Sequence, residues 1–183
     1  INIVPTLWFD SFSLAELQLG FSHFDTSEVV LKPLVSANAD HTYRLTAENL
    51  NTQSKQLENV FYKREFMLQP SLNAIINEGE YSLFYFAGQY SHGILKQLRA
   101  GDFRVQEEHG GQLKSIQPCE EMLTTARHCL AALPADVLYA RIDLVRYKKE
   151  FAVIEIELIE PSLYFNMDAG SPQRFVDAFV EMM

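Results

Sequence analysis

Residues 139–163, YARIDLVRYKKEFAVIEIELIEPSL, form two runs of alternating residues around a short charged interruption. In the first, Ala140, Ile142 and Leu144 alternate with Arg141, Asp143 and Val145; in the second, Ala152, Ile154, Ile156 and Leu158 alternate with Val153, Glu155 and Glu157. A period of two predicts a pair of half-buried strands. If the runs form a hairpin, their aliphatic sets must share a face, because a slip of one residue turns a whole set toward water. That requirement sets Ile142 opposite Ile156, Leu144 opposite Ile154 and Asp143 opposite Glu155. It also calls for an odd-length loop made of Lys148, Lys149 and Glu150. Asp143, Glu155 and Glu157 then lie on one face.

Three acids side by side are costly, since like charges directly opposite one another destabilise a strand pair. A hard divalent cation removes that cost: Mg2+ takes carboxylate oxygens and water and is commonly held by one or two carboxylates together with substrate phosphates. The competing reading is a solvated acidic face with Arg141 or Arg146 as ion-pair partner, and periodicity alone leaves both open.

With 183 residues, 48% of them hydrophobic and 21% charged, the chain can build one sizeable core and has no low-complexity character. A net charge of -9 and the lack of any Lys/Arg block argue against a nucleic-acid partner, which would need a basic stripe. No apolar run approaches the roughly 18 residues of a membrane span, and no targeting leader is visible, so the reading is a cytoplasmic protein with no membrane partner. Cys119 and Cys129 fall in one predicted helix, roughly 15 Å apart, beyond disulfide reach. The chain opens at Ile1 directly into an apparent strand (Ile1, Ile3), as a fragment or part of a larger protein would.

Ser13 with Glu16 predicts a capping box and a short helix through Leu19, followed by a buried strand at 28–33 that ends in Pro33. Residues 35–44 read as a polar loop into a strand, and residues 47–62 as a helix with Leu50, Leu57, Val60 and Phe61 on one side. Strands at 65–69, 80–86 and 89–96 suggest an antiparallel meander, and 99–111 reads as loop. Residues 118–133 are the clearest helix, with proline at the start, Glu120 and Glu121 in the first turn and Pro134 as stop. Ser171 with Pro172 predicts the cap of a last helix.

Taken together, these segments resemble an ATP-grasp domain, the nucleotide-binding unit of carboxylate-amine ligases such as glutathione synthetases and glutamate-adding ligases. The match covers nearly the whole chain. In VVLKP, Lys32 stands where the family has a strand lysine that reaches adenine and the alpha phosphate. In FMLQPSLNAIINEGEYSLF, Gln69, Pro70, Ser71 and Leu72 resemble the hinge that receives adenine, and Glu80 resembles the acid near the ribose. In LKQLRAGDFRVQEEHGG, Arg104 and Gln106 match positions facing the triphosphate and the reacting carboxylate, with Lys96 as a further phosphate contact. Asp143, Glu155 and Glu157 match the family's magnesium ligands. The tail ELIEPSLYF is similar to a subgroup that also contains the cyclising ligase of D-cycloserine biosynthesis. Two departures stand out. The loop SANADHTY after Lys32 lacks the glycines usual in a loop that closes over phosphates, and the amino-terminal domain that precedes this point in the family is absent from the chain.

The resemblance implies an α+β, ATP-grasp fold of antiparallel sheets and packed helices in two lobes with ATP between them. Residues 1–66 would be a partial small lobe and 67–183 a large lobe with the metal site. The implied function is a ligase that activates a small carboxylate as an acyl phosphate for attack by an amine, using ATP and two Mg2+ ions, with Mn2+ as the alternative metal. Arg104 would be the catalytic residue, on the transferring phosphoryl group. Self-association into a homo-oligomer is compatible with this. Two other classes stay open: a nucleotide-binding module without catalysis, and a hydrolase using two of the acids as general acid and base at separations of roughly 5–9.5 Å. The second would leave Lys32 and Arg104 idle.

Overall fold

Val29 and Leu31 are fully buried while Val30 and Lys32 are half-buried, so β2 (Glu28–Pro33) offers one face to a core rather than being buried on both. In this computed structural model, which describes residues 1–36, 39–97 and 112–183, the chain divides into two compact units. In the unit Val4–Leu72, β2 pairs antiparallel with β3 (Tyr43–Thr46) and β4 (Phe66–Pro70), and β1 (Leu7–Phe9) adds to β4, giving the order β1-β4-β2-β3. Helices α1 (Leu14–Phe24) and α2 (Ala47–Phe61) bring Leu17, Leu50, Leu57 and Phe61 against Val29, Leu31, Leu45, Phe66 and Leu68. Lys32 lies on the face away from that cluster.

Local chemistry explains the helix ends. Only half of the expected box at Ser13 forms, with Ser13 Oγ accepting from the Glu16 amide at 3.4 Å. The reciprocal box is at α2: the Asn49 amide donates to Thr46 Oγ1 at 3.2 Å and the Thr46 amide to Asn49 Oδ1 at 2.8 Å. Helix α1 runs past the predicted stop at Leu19 to Phe24, where Asp25 turns left-handed with φ 50°. Gly20, within this longer helix, marks where the helix approaches the sheet: a Cβ there would run into the Leu68 side chain. The expected division between residues 66 and 67 would cut β4 from its partners; the units part after Leu72.

The second unit, Ile1–Ile3 with Asn73–Met183, is built on an antiparallel sheet ordered β7-β6-β5-β8-β9. Its strands are β5 (Glu80–Phe86), β6 (Gln89–Gln97), β7 (Gln112–Ile116), β8 (Tyr139–Tyr147) and β9 (Glu150–Glu157). Helix α3 (Asn73–Asn77) precedes them, and α4 (Glu120–Ala131) covers one face, where Met122, Ala126 and Cys129 meet Leu83, Tyr85, Ile142, Leu144, Phe151 and Val153. At one end of the opposite face, Phe86 and Tyr139 pack on Phe175 of α5 (Ser171–Glu181), and Phe86 also meets Phe165. Ser171 is the first residue of α5 rather than its cap, which is Gly170. The strand expected at Ile1 and Ile3 is a single parallel bridge from Ile3 to Val153. Three short elements, β1, α3 and β7, had no counterpart in the sequence reading.

The hairpin β8–β9 carries the main correction. Tyr147 pairs with Glu150, so the loop is the two-residue turn Lys148-Lys149, with Lys148 left-handed at φ 58°. Such a turn alone would set Asp143 against Ile154. Instead Leu144 pairs with Val153 and Asp143 with Glu155, which leaves Ile154 as the extra residue of a bulge. The even loop and the bulge each shift the register by one, so Ile142 faces Ile156 as expected. Between turn and bulge the faces are exchanged, so Phe151 and Val153, rather than Ala152 and Ile154, join the cluster under α4, while Ala152 is buried on the other face. A phenyl ring buries far more apolar area than a methyl, which favours this solution.

Phe151→Ala should therefore lower stability by about 3–5 kcal/mol and Ile154→Ala by less than about 2 kcal/mol. Urea unfolding of both variants checks this; the uninterrupted alternation requires the reverse order.

Candidate metal centre

Because Ser82 pairs with Asp143, Asp143 with Glu155, and Arg141 with Glu157, three adjacent strands deliver acids to one sheet face. Oxygens of Asp143, Glu155 and Glu157 lie within 4.8 Å of one another. Asp143 is fully buried, Glu157 half-buried and Glu155 exposed, so the cluster opens at its β9 side.

Cations are built into the same face. Lys96, cross-strand partner of Glu80, pairs with Glu80 Oε1 through its ammonium and reaches Asp143 Oδ2 at 3.3 Å. Arg141 donates through Nε to both Asp143 oxygens at 3.1 Å and through Nη2 to Oδ2 at 2.9 Å, and Nη2 also pairs with Glu157. Glu80, Lys96, Arg141 and Asp143 all count among the buried residues. Burial alone would push the Asp143 carboxyl up, but Lys96 and Arg141 outweigh it and hold Asp143 below the usual carboxylate range. Burial dominates at Glu80 and Glu157, whose carboxyls are pushed up despite Lys96 and Arg141 respectively. Lys96 and Arg141 stay charged, since neighbouring carboxylates more than offset their own burial.

Among the described residues this face carries the carboxylates Glu80, Asp143, Glu155 and Glu157 and the cationic side chains Lys96 and Arg141. The donor set is all carboxylate oxygen, which suits a hard divalent ion such as Mg2+. Asp143, Glu155 and Glu157 would hold it.

Of the other residues read from the sequence, Glu80 and Lys96 join the acids in the same unit. Glu80 is buried and paired rather than solvated at a strand end. Lys32, Gln69, Pro70, Ser71 and Leu72 belong to the unit Val4–Leu72. There Gln69 is buried, donating through Nε2 to Thr6 Oγ1 at 2.9 Å, and the Ser71 amide donates to Glu28 O at 3.0 Å. Arg104 and Gln106 lie outside the described residues. Arg141, taken from the sequence only as an ion-pair partner, is central: Arg-x-Asp at a two-residue spacing puts both side chains on one strand face, a signal that was available. Among the described residues no helix is long and apolar enough to cross a membrane.

No protein-family model matches the chain. It is 28% identical over 128 residues to the cycloserine biosynthesis protein DcsG of Streptomyces lavendulae, which covers 64% of this chain and 42% of that protein. Among solved structures, D-cycloserine synthetase DcsG superposes with a TM-score of 0.82 at 25% identity, over 100% of this chain and 65% of that one. D-alanine–D-alanine ligase from Bacillus anthracis gives 0.70 at 15% identity, over 99% and 62%. D-alanyl-alanine synthetase A from Vibrio cholerae gives 0.72 at 14%, over 99% and 59%. The chain thus spans less than two thirds of the length of these relatives. Its fold is theirs, the ATP-grasp fold.

Lys96→Met would strand the buried Glu80 and Asp143 carboxylates and should cost about 3–5 kcal/mol. Adding Glu80→Gln should recover part of that loss in a double-mutant cycle read by chemical unfolding, whereas purely additive losses would mean that the two residues are not coupled.

Proposed function

We propose that this chain, an ATP-grasp domain, serves an ATP-dependent ligase that activates a small carboxylate as an acyl phosphate for attack by an amine, releasing ADP and phosphate. The observation that carries the reading is the convergence of Asp143, Glu155 and Glu157 within 4.8 Å on one sheet face of this fold. The relatives with solved structures are named as ligases and synthetases, which supports a joining reaction. Fold alone does not name the acid or the amine, so the substrate stays at the level of chemical class.

Phosphoryl transfer leaves little covalent work to the protein; positioning and charge stabilisation supply most of the rate. Mg2+ at the acids, as one ion or two, would supply neutralisation of charge on the phosphate oxygens. Glu155, the exposed member of the trio, would hold the metal together with Asp143 and Glu157. Arg141 holds the Asp143 carboxylate in one orientation through two nitrogens, a preorganisation that a lysine could not reproduce. Lys96 keeps Asp143 ionised despite its burial, and this duty stands beside the phosphate contact assigned to it.

Gln69, Pro70, Ser71 and Leu72 are assigned to adenine, Glu80 to the ribose side, and Lys32 to the phosphates as a point charge. Arg104 offers a planar fork to the transferring phosphoryl group, with Gln106 beside it.

Calorimetric titration of ADP and ATP, with and without Mg2+, tests the reading. Binding should require Mg2+ and weaken at least tenfold in Glu155→Ala, which at about 1.4 kcal/mol per decade is well resolved. Absence of binding to folded protein would overturn it. Metal-dependent nucleotide binding with no acyl phosphate trapped by hydroxylamine would leave a binding module without catalysis.

A further inference from the structure

Away from the acids, His92 is buried on β6, stacked on Phe84 with ring centroids 4.3 Å apart, and no role in metal or nucleotide binding falls to it. Its Nε2 lies 3.0 Å from the carbonyl oxygen of Leu163 and its Nδ1 2.9 Å from Ser91 Oγ. A carbonyl can only accept, so Nε2 carries the proton and Nδ1 presents a lone pair to the Ser91 hydroxyl. Ser91 Oγ in turn accepts from Arg174 Nε at 3.0 Å, and Arg174 is paired with Asp168. The relay has one direction: Arg174 to Ser91 to His92 to Leu163. Neighbouring side chains on a regular strand point apart. Here His92 pairs with Phe84 and Tyr90 with Tyr85, so Ser91 is a bulge residue and can turn toward His92.

What the relay grips is unusual backbone. Residues 160–164 leave the metal-ligand strand three positions after Glu157. They begin and end with non-glycine residues in the left-handed region, Glu160 at φ 49° and Tyr164 at φ 47°. Such conformations persist only where surroundings enforce them. The Glu160 amide donates to Tyr139 Oη at 3.3 Å, Pro161 is buried, the Tyr164 ring meets Phe84 edge-on, and Leu163 O is held by His92.

We infer that neutral His92 is a positioning residue that fixes residues 160–164, the segment continuing the metal-ligand strand, with Ser91 and Arg174 selecting the tautomer that can do so. Protonation would place an N–H on Nδ1 and turn the Ser91 hydroxyl proton away, while the Nε2–H bond to Leu163 O is made in either charge state. Among the described residues the charged groups facing this network are Arg174, which opposes protonation, and Asp168, which favours it. Burial keeps the imidazole below its ordinary value.

Hydrogen exchange of the peptide covering 158–168, corrected for intrinsic rates, tests this from about pH 7.5 to about pH 4.5. The wild-type segment should stay tight across this range, exchanging about five- to tenfold more slowly than in His92→Phe, which loses the one hydrogen bond to Leu163 O. His92→Phe keeps the stack and should be loose throughout. His92→Gln supplies an uncharged donor and acceptor and should stay tight with no pH dependence. A tight His92→Phe, or a His92→Gln as loose as His92→Phe, would each overturn the inference. The exchange result stands whether or not nucleotide binds.

Discussion

Asp143 is a carboxylate with no solvent exposure, and the charged half of the large sheet is organised around that fact. An ionised acid in that position is tolerated only with charge and hydrogen bonds supplied by the protein. Arg141, two residues away on the same strand, supplies a fork, and Lys96, two strands away, supplies an ammonium that Glu80 also shares. The β6–β5–β8–β9 order is what brings these four together, because each lies on the same face at adjoining strand positions. Glu155 and Glu157 then extend the acid row to the sheet edge, where ligand can reach it. The inner acid is restrained by Lys96 and Arg141, and Arg141 reaches on to Glu157.

How much of this was legible in the sequence depends on the range of the interaction. Alternation and the cost of exposing an apolar set placed Asp143 opposite Glu155, because that argument needs only one hairpin. It failed between residues 150 and 154. Whether Phe151 or Ala152 turns inward is decided by packing against α4, which lies outside the hairpin. Lys32 shows the same limit: VVLKP reads as buried on both sides, but only Val29 and Leu31 meet helices. The helix read through Leu19 runs on to Phe24, and the glycine just past the expected stop is required by the approach of Leu68, a contact outside the helix.

The acidic trio was legible in the sequence, and the pairing of Lys96 with Glu80 and Asp143 was not. An acidic trio on a strand pair is a local pattern, whereas the Lys96–Asp143 contact joins residues 47 apart and depends on strand order. The His92–Leu163 contact spans 71 residues and rests on a bulge that no pattern in YSHGI announces. Arg141 is the exception: its spacing from Asp143 was on the page, and it was underread because an arginine beside acids is commonplace at protein surfaces.

The two-residue turn at Lys148-Lys149 and the surplus Ile154 cancel one another, so the strand tip and the acid row are geometrically decoupled. A three-residue turn with a straight β9 would leave Asp143 facing Glu155 all the same. The outer end of this hairpin could therefore gain a residue in its turn as the bulge is lost without moving the carboxylates, and what such a change would disturb is the packing of Phe151 and Val153 instead.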